Sequence, residues 1–425
     1  MSGPQSRRVL DVYLGDELIG TLEDRTLGYV AFDFAEAAIE RYGPGSRVLS
    51  VGVPATWDTV DPLIATPFFA GLLPEGEARR RLSDEFRVGL LDTWGLLRVI
   101  GRESAGALVI VPSGEPSPPP AAGSPEPLSE EQLAAQLERL GVAPLGVTIE
   151  DDQVRLSLAG VQNKLPLVSL DGGGLALPLR GQPSTVIAKP ASPDDRFPDL
   201  VANEAFCLSV AAALGVPTTS FRVIVVAGRS VLLIERYDRL RDEAGRTVRL
   251  HQEDFCQAAG VNPEFKYETG GGPSLERIAA LLTEYSLQPG IDRLSLLRLT
   301  AADLVLGNCD AHGKNLSLLH TSAGVQLAPA YDIVSTEAYT HTDELGMRIG
   351  GRERLRDVTS EVLLEQAGRI GVGTRLAERV LRELRERLPG ALATSRATAE
   401  AEGWAAPVIE RIAEQTRVRA ARLFG

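Results

Sequence analysis

The stretch from Leu304 to Asn315, LVLGNCDAHGKN, constrains the fold of this chain more than any other. The apolar run from Leu294 to Leu306 predicts a helix, and Gly307 is placed to act as its C-cap. A dense polar group follows at once: Asn308, Asp310, His312, Lys314 and Asn315. A further acid, Asp332, lies in the segment PAYDIVS, again after apolar residues. The chain is therefore expected to carry a polar loop at the end of an apolar helix, with a second acidic position downstream.

The spacing of these polar residues is typical of a loop that transfers phosphoryl groups. Asp310 and Asn315 form the pattern DxxxxN, and Asp332 comes later. In such loops one carboxylate orients the attacking hydroxyl, while an amide oxygen and a second carboxylate hold magnesium against the phosphates. Oxygen ligands suit this hard cation, which needs only one or two of them from the protein. The alternative is a polar turn with an incidental Asn and Asp, and the features described below favour the catalytic interpretation.

The composition excludes several classes of protein. A hydrophobic fraction of 44% predicts a globular chain, and its 425 residues suggest roughly two to four domains. The net charge of −13 argues against a protein that coats nucleic acid, although a local basic face is compatible with it. The three cysteines are widely spaced, which suits a reducing compartment, and the four histidines are too scattered for a zinc site. No apolar run reaches the roughly 20 residues of a membrane span and no signal peptide is recognisable, so we expect a cytoplasmic protein.

The first part of the chain predicts a small α/β subdomain. Val9–Leu14 and Leu18–Leu22 have the pattern of a hairpin around Gly15, and Ala105–Val111 has that of a buried strand. A segment rich in proline, serine and glycine begins at Pro112 and has the composition of a linker.

A capping box formed by Ser129 and Gln132 predicts that a helix begins at about Glu130, and so places a domain boundary just before it. We therefore divide the chain into an N-terminal subdomain (1–111), a linker (112–128), an amino-terminal lobe (129–238) and a mainly helical carboxyl-terminal lobe (239–425). The last helix, from about Val408, carries four arginines, for which a solvated basic face is expected in preference to a phosphate contact: Arg411, Arg417, Arg419 and Arg422.

Two segments of the amino-terminal lobe have features of a phosphate site. The stretch 157–164 lies between apolar alternations, and its glycine and amides could cover phosphates, although an ordinary hairpin is the alternative. Lys189 leaves a β-branched strand in TVIAKPA, where it could reach the α- and β-phosphates or simply extend into solvent. Glu204 lies in the first turn of the next helix, from about Val201 to Leu214. It could pair with Lys189 or favour the helix N-terminus.

A hairpin of Arg222–Val226 and Val231–Ile234 runs into the polar segment from Glu235 to Asp238, which includes Tyr237. A nucleotide hinge would lie at such a crossover, where backbone groups could bind adenine and Asp238 could reach the ribose. Simple loop polarity is the alternative for these residues.

Taken together, the motifs SLAGVQNK, AKPA, NEAFCL, IERYDR, HQEDFCQAAG, KYETGGGP, LGNCDAHGKNLS and PAYDIVS resemble the HipA family. Members of this family are serine/threonine kinases that act as toxins of type II toxin–antitoxin modules. PFFAGLLPEGEARRR and IGRESAGAL resemble the family's N-terminal segment, so the resemblance runs in order through almost the whole chain. It implies an α/β (α+β) fold, in which a protein-kinase-like two-lobed domain with a mainly helical C-lobe follows a small α/β subdomain.

The resemblance implies a role for individual residues. Asp310 would be the catalytic base, Asn315 and Asp332 the Mg²⁺ ligands, and Ser157 the autophosphorylated serine. The residues that would contact ATP are Ala159, Gly160, Val161, Gln162, Asn163, Lys164, Lys189, Glu235, Tyr237, Asp238, His312 and Lys314. The metal motif reads DIV where eukaryotic kinases have DFG, so regulation by a DFG phenylalanine is not expected.

The resemblance also implies partners. These are a helix-turn-helix antitoxin (HipB-like), operator DNA bound mainly through that antitoxin, and a substrate of the translation apparatus such as an aminoacyl-tRNA synthetase. A small-molecule or lipid kinase of similar architecture remains an alternative, as does a non-catalytic corepressor. The presence of Lys189, Asp310, Asn315 and Asp332 argues against the corepressor. Phosphate on Ser157 would add roughly −1.5 to −2 charges beside a polyanion pocket, so we expect it to disfavour ATP binding.

Overall fold

The computed structural model describes residues 8–115, 125–140, 164–179, 181–191, 196–339 and 343–424. Its helices are α1 (Glu36–Tyr42), α2 (Pro62–Gly71), α3 (Gly76–Phe86), α4 (Thr93–Ile100), α5 (Glu130–Arg139), α6 (Leu200–Ala213), α7 (Phe255–Ala259), α8 (Leu275–Tyr285), α9 (Pro289–Leu306), α10 (Ser360–Arg369), α11 (Thr374–Ala401) and α12 (Pro407–Leu423). Its strands are β1 (Val9–Leu14), β2 (Glu17–Asp24), β3 (Val30–Phe34), β4 (Leu108–Pro112), β5 (Leu165–Ser169), β6 (Leu175–Ala176), β7 (Val186–Pro190), β8 (Phe221–Val226), β9 (Arg229–Glu235), β10 (Arg239–Arg241), β11 (Thr247–Arg249), β12 (His251–Asp254), β13 (Ser317–Thr321), β14 (Gly324–Leu327), β15 (Glu344–Ile349) and β16 (Arg352–Arg354).

The chain divides into two compact units. The first consists of Met1–Ala188 and Asp238–Glu264, and the second of Lys189–Tyr237 and Phe265–Gly425. Of the helices in the described ranges, none is both long and apolar enough to cross a membrane.

The first unit is built around an antiparallel sheet with the strand order β3-β2-β1-β4. Helix α2 packs on β3, and both contribute large aromatic side chains to the core. The Phe32 and Phe69 rings lie 5.3 Å apart between centroids, and Phe68 meets Phe69 edge to face at 5.2 Å. Gly20 on β2 permits this packing, because a Cβ atom there would lie 2.3 Å from the Phe32 ring. A side chain at this position would therefore displace the central phenylalanine.

The second unit is mainly helical, with short antiparallel hairpins β8–β9, β13–β14 and β15–β16. Helix α9 packs against α8, α6, α11 and α12, and most of its side chains from Leu296 to Leu306 are buried. Because α9 is surrounded on several sides, most of its residues from Leu294 to Leu306 are apolar. The polar loop that follows Gly307 thus begins at the end of a buried helix.

Several predicted elements are confirmed. The first hairpin consists of β1 and β2, and the capping box of Ser129 and Gln132 begins α5 at Glu130. Helix α9 ends at Leu306 with Gly307 as its C-cap. The predicted domain boundaries remain predictions, and most of the proline-rich linker lies outside the described residues.

The prediction of a solvated basic face on the last helix is wrong for Arg419, whereas Arg411 and Arg417 are exposed and Arg422 is half-buried. The Arg419 side chain is buried, donates to the Val305 carbonyl at 2.8 Å and pairs with Glu337. Arg411 and Arg422 also donate to backbone carbonyls, whereas Arg417 pairs with Glu414 on the helix surface. Helical periodicity treats arginine as polar, but a guanidinium can be buried where carbonyl oxygens at another helix end accept its hydrogen bonds.

Candidate active site

The polar loop is connected to the end of α9 by a chain of hydrogen bonds. Gly307 has a φ of 78°, a left-handed conformation that glycine adopts without strain and that reverses the chain after the helix. The Asn308 amide donates from Nδ2 to Oδ1 of Asp303 at 2.8 Å, and its Oδ1 accepts from the backbone N–H of Asp310 at 3.2 Å. A buried helix residue thus fixes the backbone of the candidate catalytic acid.

Two other segments hold Cys309, the residue before this acid. Its N–H donates to Oγ1 of Thr336 at 2.9 Å, and its carbonyl accepts from the N–H of Gly346 at 2.8 Å. A Cβ atom on Gly346 would lie 2.5 Å from the carbonyl oxygen of Ala311, so this approach of β15 requires glycine. The segment of Thr336 and strand β15 therefore both form hydrogen bonds with the backbone of the loop at Cys309.

The carboxylate of Asp310 itself is bonded to a tyrosine. Tyr267 donates its hydroxyl hydrogen to Oδ1 of Asp310 at 2.6 Å, and its ring meets that of His312 edge to face at 5.1 Å. His312 is buried, and its Nδ1 accepts from the N–H of Lys314 at 3.3 Å. Asp310 remains solvent-exposed, as a residue that must meet a substrate hydroxyl needs to be.

Lys189 joins two carboxylates in the second unit. Its Nζ donates to Oε1 of Glu204 at 2.7 Å and to Oδ1 of Asp332 at 2.7 Å. The Glu204 carboxylate accepts a hydrogen bond from Lys189. Of the two predicted roles for Glu204, the structure therefore has the pairing with Lys189. The side chains of Lys189 and Glu204 are 8% and 1% exposed, whereas that of Asp332 is 44% exposed.

The charge state of Lys189 follows from these contacts. Burial by itself would lower the pKa of its ammonium, but Asp332 and Glu204 together outweigh burial and hold that pKa above its usual range. The lysine is therefore cationic at neutral pH. The three side chains sum to one negative charge, which favours the approach of a further cation through the exposed Asp332.

Asp332 and Asn315 are brought together by a hydrogen bond from Asn315 Nδ2 to Oδ2 of Asp332 at 3.2 Å. Asp332 has a φ of 59°, an uncommon conformation for a residue other than glycine, although aspartate tolerates it better than most. Oδ1 of Asn315 is buried and has no hydrogen-bond partner among the described residues. Buried polar atoms are normally satisfied, so this oxygen is a candidate donor to a metal ion.

These residues fit a magnesium ion. The buried amide oxygen of Asn315 and the half-exposed carboxylate of Asp332 are hard oxygen donors, and Mg²⁺ at kinase sites takes only one or two protein ligands. Within the described ranges no cluster of three or more His, Cys, Asp or Glu residues could hold a metal, which is compatible with so small a ligand set.

Two of the predicted hinge residues, Glu235 and Tyr237, already make contacts within the protein. The N–H of Glu235 donates to the Ser220 carbonyl at 2.9 Å, and the Glu235 carbonyl accepts from Thr219 Oγ1 at 2.6 Å. Glu235 is exposed to solvent. Tyr237 stacks on Tyr331 with 5.8 Å between ring centroids. Tyr331 directly precedes Asp332, so this stack connects the hinge to the metal motif within the second unit.

Asp238 and Lys164 belong to the first unit. Asp238 is 2% exposed, accepts from the N–H of Gly106 at 2.7 Å and pairs with Arg239 at 3.0 Å. Arg239 also reaches Glu103 at 3.0 Å. These bonds favour a structural role for Asp238 over the predicted ribose contact. Lys164 is half-buried. The predicted positions Ser157, Ala159, Gly160, Val161, Gln162 and Asn163 lie outside the described residues.

Two participants, Tyr267 and Asp303, are not predicted from the sequence. Tyr267 lies within the KYETGGGP motif and Asp303 within a mainly apolar helix. A tyrosine three residues before a glycine triplet is a usable signal for the first, because such a loop can approach another backbone closely. For the second, an aspartate within a nearly continuous apolar run was the signal, since a buried carboxyl needs a partner.

The chain is similar to two family models and to known proteins over most of its length. Residues 10–111 match the HipA N-terminal domain model, and residues 156–392 match the HipA-like C-terminal domain model. The Y4mE protein of Sinorhizobium fredii is 39% identical over 383 residues, which cover 89% of this chain and 89% of that protein. The serine/threonine-protein kinase toxin HipA of Shewanella oneidensis is 29% identical over 399 residues, which cover 90% of this chain and 88% of that protein.

A solved structure is similar over nearly the whole chain. It is the complex of HipA, HipB and operator DNA from Shewanella oneidensis MR-1, which aligns with a TM-score of 0.79 and 26% identity over 97% of this chain and 96% of that one. The predicted fold class, that of the kinase-like α/β HipA proteins, is thereby confirmed. The chain belongs to the HipA family, which includes a serine/threonine-protein kinase toxin.

Proposed function

We propose that this chain is an ATP- and magnesium-dependent protein serine/threonine kinase and the toxin of a toxin–antitoxin pair. The observation that carries the proposal is the arrangement around Asp332. Lys189 pairs with both Glu204 and Asp332. Asn315 donates from its amide nitrogen to Asp332, and its buried amide oxygen has no partner among the residues that the structure describes. A lysine–glutamate pair beside two hard oxygen ligands is the arrangement of a phosphoryl-transfer site.

Each residue has a role in this proposal. Lys189 binds the phosphates of ATP, and Asn315 and Asp332 hold Mg²⁺. Asp310 accepts a hydrogen bond from the substrate hydroxyl and so orients it for attack on the γ-phosphorus. ATP supplies the phosphoryl group, and Mg²⁺ offsets the charge of the phosphates. Because such transfer depends on positioning and charge neutralisation, an aspartate of ordinary basicity is sufficient.

The proposed partner is supported by a solved relative, whereas the proposed acceptors rest on the resemblance to the HipA family. The solved relative is a complex with HipB and operator DNA, so we propose a HipB-like helix-turn-helix antitoxin as the partner and DNA contact mainly through it. A net charge of −13 is compatible with indirect DNA binding. The substrate proposed is a protein of the translation apparatus, such as an aminoacyl-tRNA synthetase. In the protein itself the proposed acceptor is Ser157.

The first test is incubation of the purified, dephosphorylated protein with ATP and MgCl₂, followed by mass spectrometry of all serine- and threonine-containing peptides. Asp310→Ala removes the proposed base, and Asp357→Asn removes a similar charge from an exposed position of the second unit. We expect phosphate on Ser157 in the wild type and in Asp357→Asn, and none in Asp310→Ala.

The outcomes separate the alternatives. ATP binding without any phosphorylated serine or threonine, in this chain or in added protein acceptors, would contradict a protein kinase and favour a small-molecule kinase. Full biological toxicity of Asp310→Ala would favour the corepressor. If Ser157 is phosphorylated, the modified form should bind ATP more weakly than the unmodified one, because negative charge accumulates beside a polyanion site. Equal affinities would disprove this self-silencing.

A further inference from the structure

The hydroxyl of Tyr267 lies 2.6 Å from Oδ1 of Asp310, a short distance typical of a hydrogen bond to a carboxylate. A carboxylate has two oxygens and about four acceptor positions, so this bond is compatible with a second one from a substrate hydroxyl. We propose that Tyr267 is a positioning residue, which holds the Asp310 carboxylate in the orientation that phosphoryl transfer requires. This inference rests on the proposed kinase activity.

Tyr267 is well placed for this task, because its segment is bonded to the candidate catalytic loop at more than one point. The carbonyl of Lys266 accepts from the N–H of Gly313 at 3.3 Å. The Tyr267 ring packs edge to face on His312 at 5.1 Å between centroids. Together with the hydroxyl bond, these contacts connect residues 266 and 267 to three positions of the loop. A tyrosine that only occupied the place of the substrate hydroxyl beside Asp310 would not need these additional contacts with the loop.

The backbone around Tyr267 is also fixed. Its carbonyl accepts from the N–H groups of Gly270 at 3.0 Å and of Gly272 at 2.9 Å. Gly271 has a φ of 99°, and a Cβ atom on Gly272 would lie 2.5 Å from the carbonyl oxygen of Lys266. These constraints explain two glycines of the triplet, Gly271 and Gly272, because other residues would be strained or would collide at these positions.

A third segment completes the support. Glu268 accepts from the backbone N–H of Arg348 at 2.6 Å and also reaches its guanidinium at 3.5 Å. Arg348 lies on β15, and Gly346 of the same strand donates to the carbonyl of Cys309. Each of these three segments, the one around Tyr267, β15 and the catalytic loop, therefore forms hydrogen bonds with the other two. Such mutual support is what keeps a side chain within a few tenths of an ångström of its productive position.

The test uses Tyr267→Phe in the full chain, since this variant keeps the ring and its packing on His312 but loses the hydroxyl. The rate of ADP formation by the dephosphorylated protein is measured over the first turnover, before phosphorylation of Ser157 can silence it, against ATP concentration at saturating MgCl₂, and its maximum is taken as kcat. We expect kcat to fall about 10- to 100-fold, in line with the loss of one hydrogen bond to a charged group. The KM for ATP should stay within about twofold, because the hydroxyl bonds the base and not the nucleotide.

A matched control exists in the first unit. Tyr42 donates its hydroxyl to Oε2 of Glu17 at 2.7 Å, and it is 37% exposed whereas Tyr267 is 38% exposed. Tyr42→Phe loses the same kind of bond away from the site and should leave both kcat and KM unchanged. Thermal unfolding of both variants should be close to that of the wild type.

A double-mutant cycle distinguishes positioning from a general structural effect. In an Asp310→Ala background the hydroxyl has no carboxylate to hold, so adding Tyr267→Phe should not reduce the residual rate further. An unchanged kcat in Tyr267→Phe, or an equal loss in both backgrounds, would overturn the inference while the kinase proposal stands. A wild-type protein that forms no ADP would instead overturn the proposed function, and this inference with it.

Discussion

Lys189 and Asp332 are 143 positions apart in the sequence, and the ammonium of the first lies 2.7 Å from Oδ1 of the second. The same ammonium bonds Glu204, so one buried cation serves two anions. Glu204 is almost fully enclosed, whereas Asp332 is partly open to solvent. The buried pair therefore fixes the lysine, and the open carboxylate remains accessible to a metal ion.

Loss of the lysine should destabilise the protein as well as inactivate it. Lys189→Met leaves Glu204 buried without its counter-ion, and removing one partner of a buried pair typically costs about 3–5 kcal/mol of folding free energy. The double variant Lys189→Met/Glu204→Leu should recover much of that stability, because no buried charge is left unpaired. Urea denaturation measures both effects.

ATP binding should separate from stability in these variants. The double variant should still bind ATP poorly, since the proposed phosphate contact is absent. A single variant as stable as the wild type, or a double variant with normal ATP affinity, would contradict this account of Lys189.

The metal site should respond to a change at Asn315. Asn315→Asp replaces the hydrogen bond to Asp332 with two facing carboxylates, and we expect a loss of about 1–3 kcal/mol without metal. Mg²⁺ should then raise the unfolding temperature of the variant more than that of the wild type, because binding to the folded state stabilises it.

Asn308 provides the control for this experiment. It lies in the same loop, but its amide bonds Asp303 and not Asp332, so Asn308→Asp should lose stability without gaining a response to Mg²⁺. Thermal shifts are compared with and without MgCl₂ at equal ionic strength. Equal shifts in all three proteins would argue against a magnesium site at Asn315 and Asp332.

Local sequence patterns predicted the elements that local chemistry determines. The first hairpin, the capping box at Ser129 and the end of α9 at Gly307 each depend on a few neighbouring residues, and the structure has all of them. The pairing of Lys189 with Glu204 was also foreseeable, since the pair is 15 positions apart on a strand and the helix that follows it.

Long-range polar contacts were not predictable in this way. Tyr267 and Asp310 are 43 positions apart, and no periodicity links a phenol on one loop to a carboxylate on another. Arg419 was assigned to a solvated face because its partners, the end of α9 and Glu337, are 114 and 82 positions away. A polar side chain that will be buried needs a hydrogen-bond partner, but only the tertiary fold determines which residue that partner is.

The position that ends α9 should not tolerate a side chain. Gly307→Ala places a Cβ at a φ of 78° and within 2.9 Å of the Arg419 guanidinium, so we expect a loss of about 1–3 kcal/mol in stability. Gly368 is the matched control, because it lies within α10 and, among the described residues, no atom outside its own helix turn lies within 4 Å of the position that a Cβ would take. Gly368→Ala should stabilise the protein by about 0.5–1 kcal/mol. Urea denaturation that shows the same sign for both variants would contradict this distinction.

Asp303 should make stability depend on pH. Burial raises its pKa to about 7 from the usual 3.8, and the hydrogen bond from Asn308 opposes this only in part. Between these two pH values the folded protein keeps a proton that the unfolded chain has released. The stabilisation is therefore complete below about pH 4 and is lost as pH rises to about 7, by about 1.4 kcal/mol per pH unit at most.

Asp303→Asn isolates this contribution, because the amide does not titrate and its oxygen can still accept from Asn308. The difference in unfolding free energy between wild type and variant is measured by urea denaturation at pH 5, 6, 7 and 8, so that contributions of other groups cancel. From pH 5 to pH 7 the wild type should lose on the order of 2–3 kcal/mol relative to the variant, with little further change at pH 8. Parallel stability curves for wild type and Asp303→Asn would mean that this carboxyl has the same proton affinity in the folded and unfolded chains.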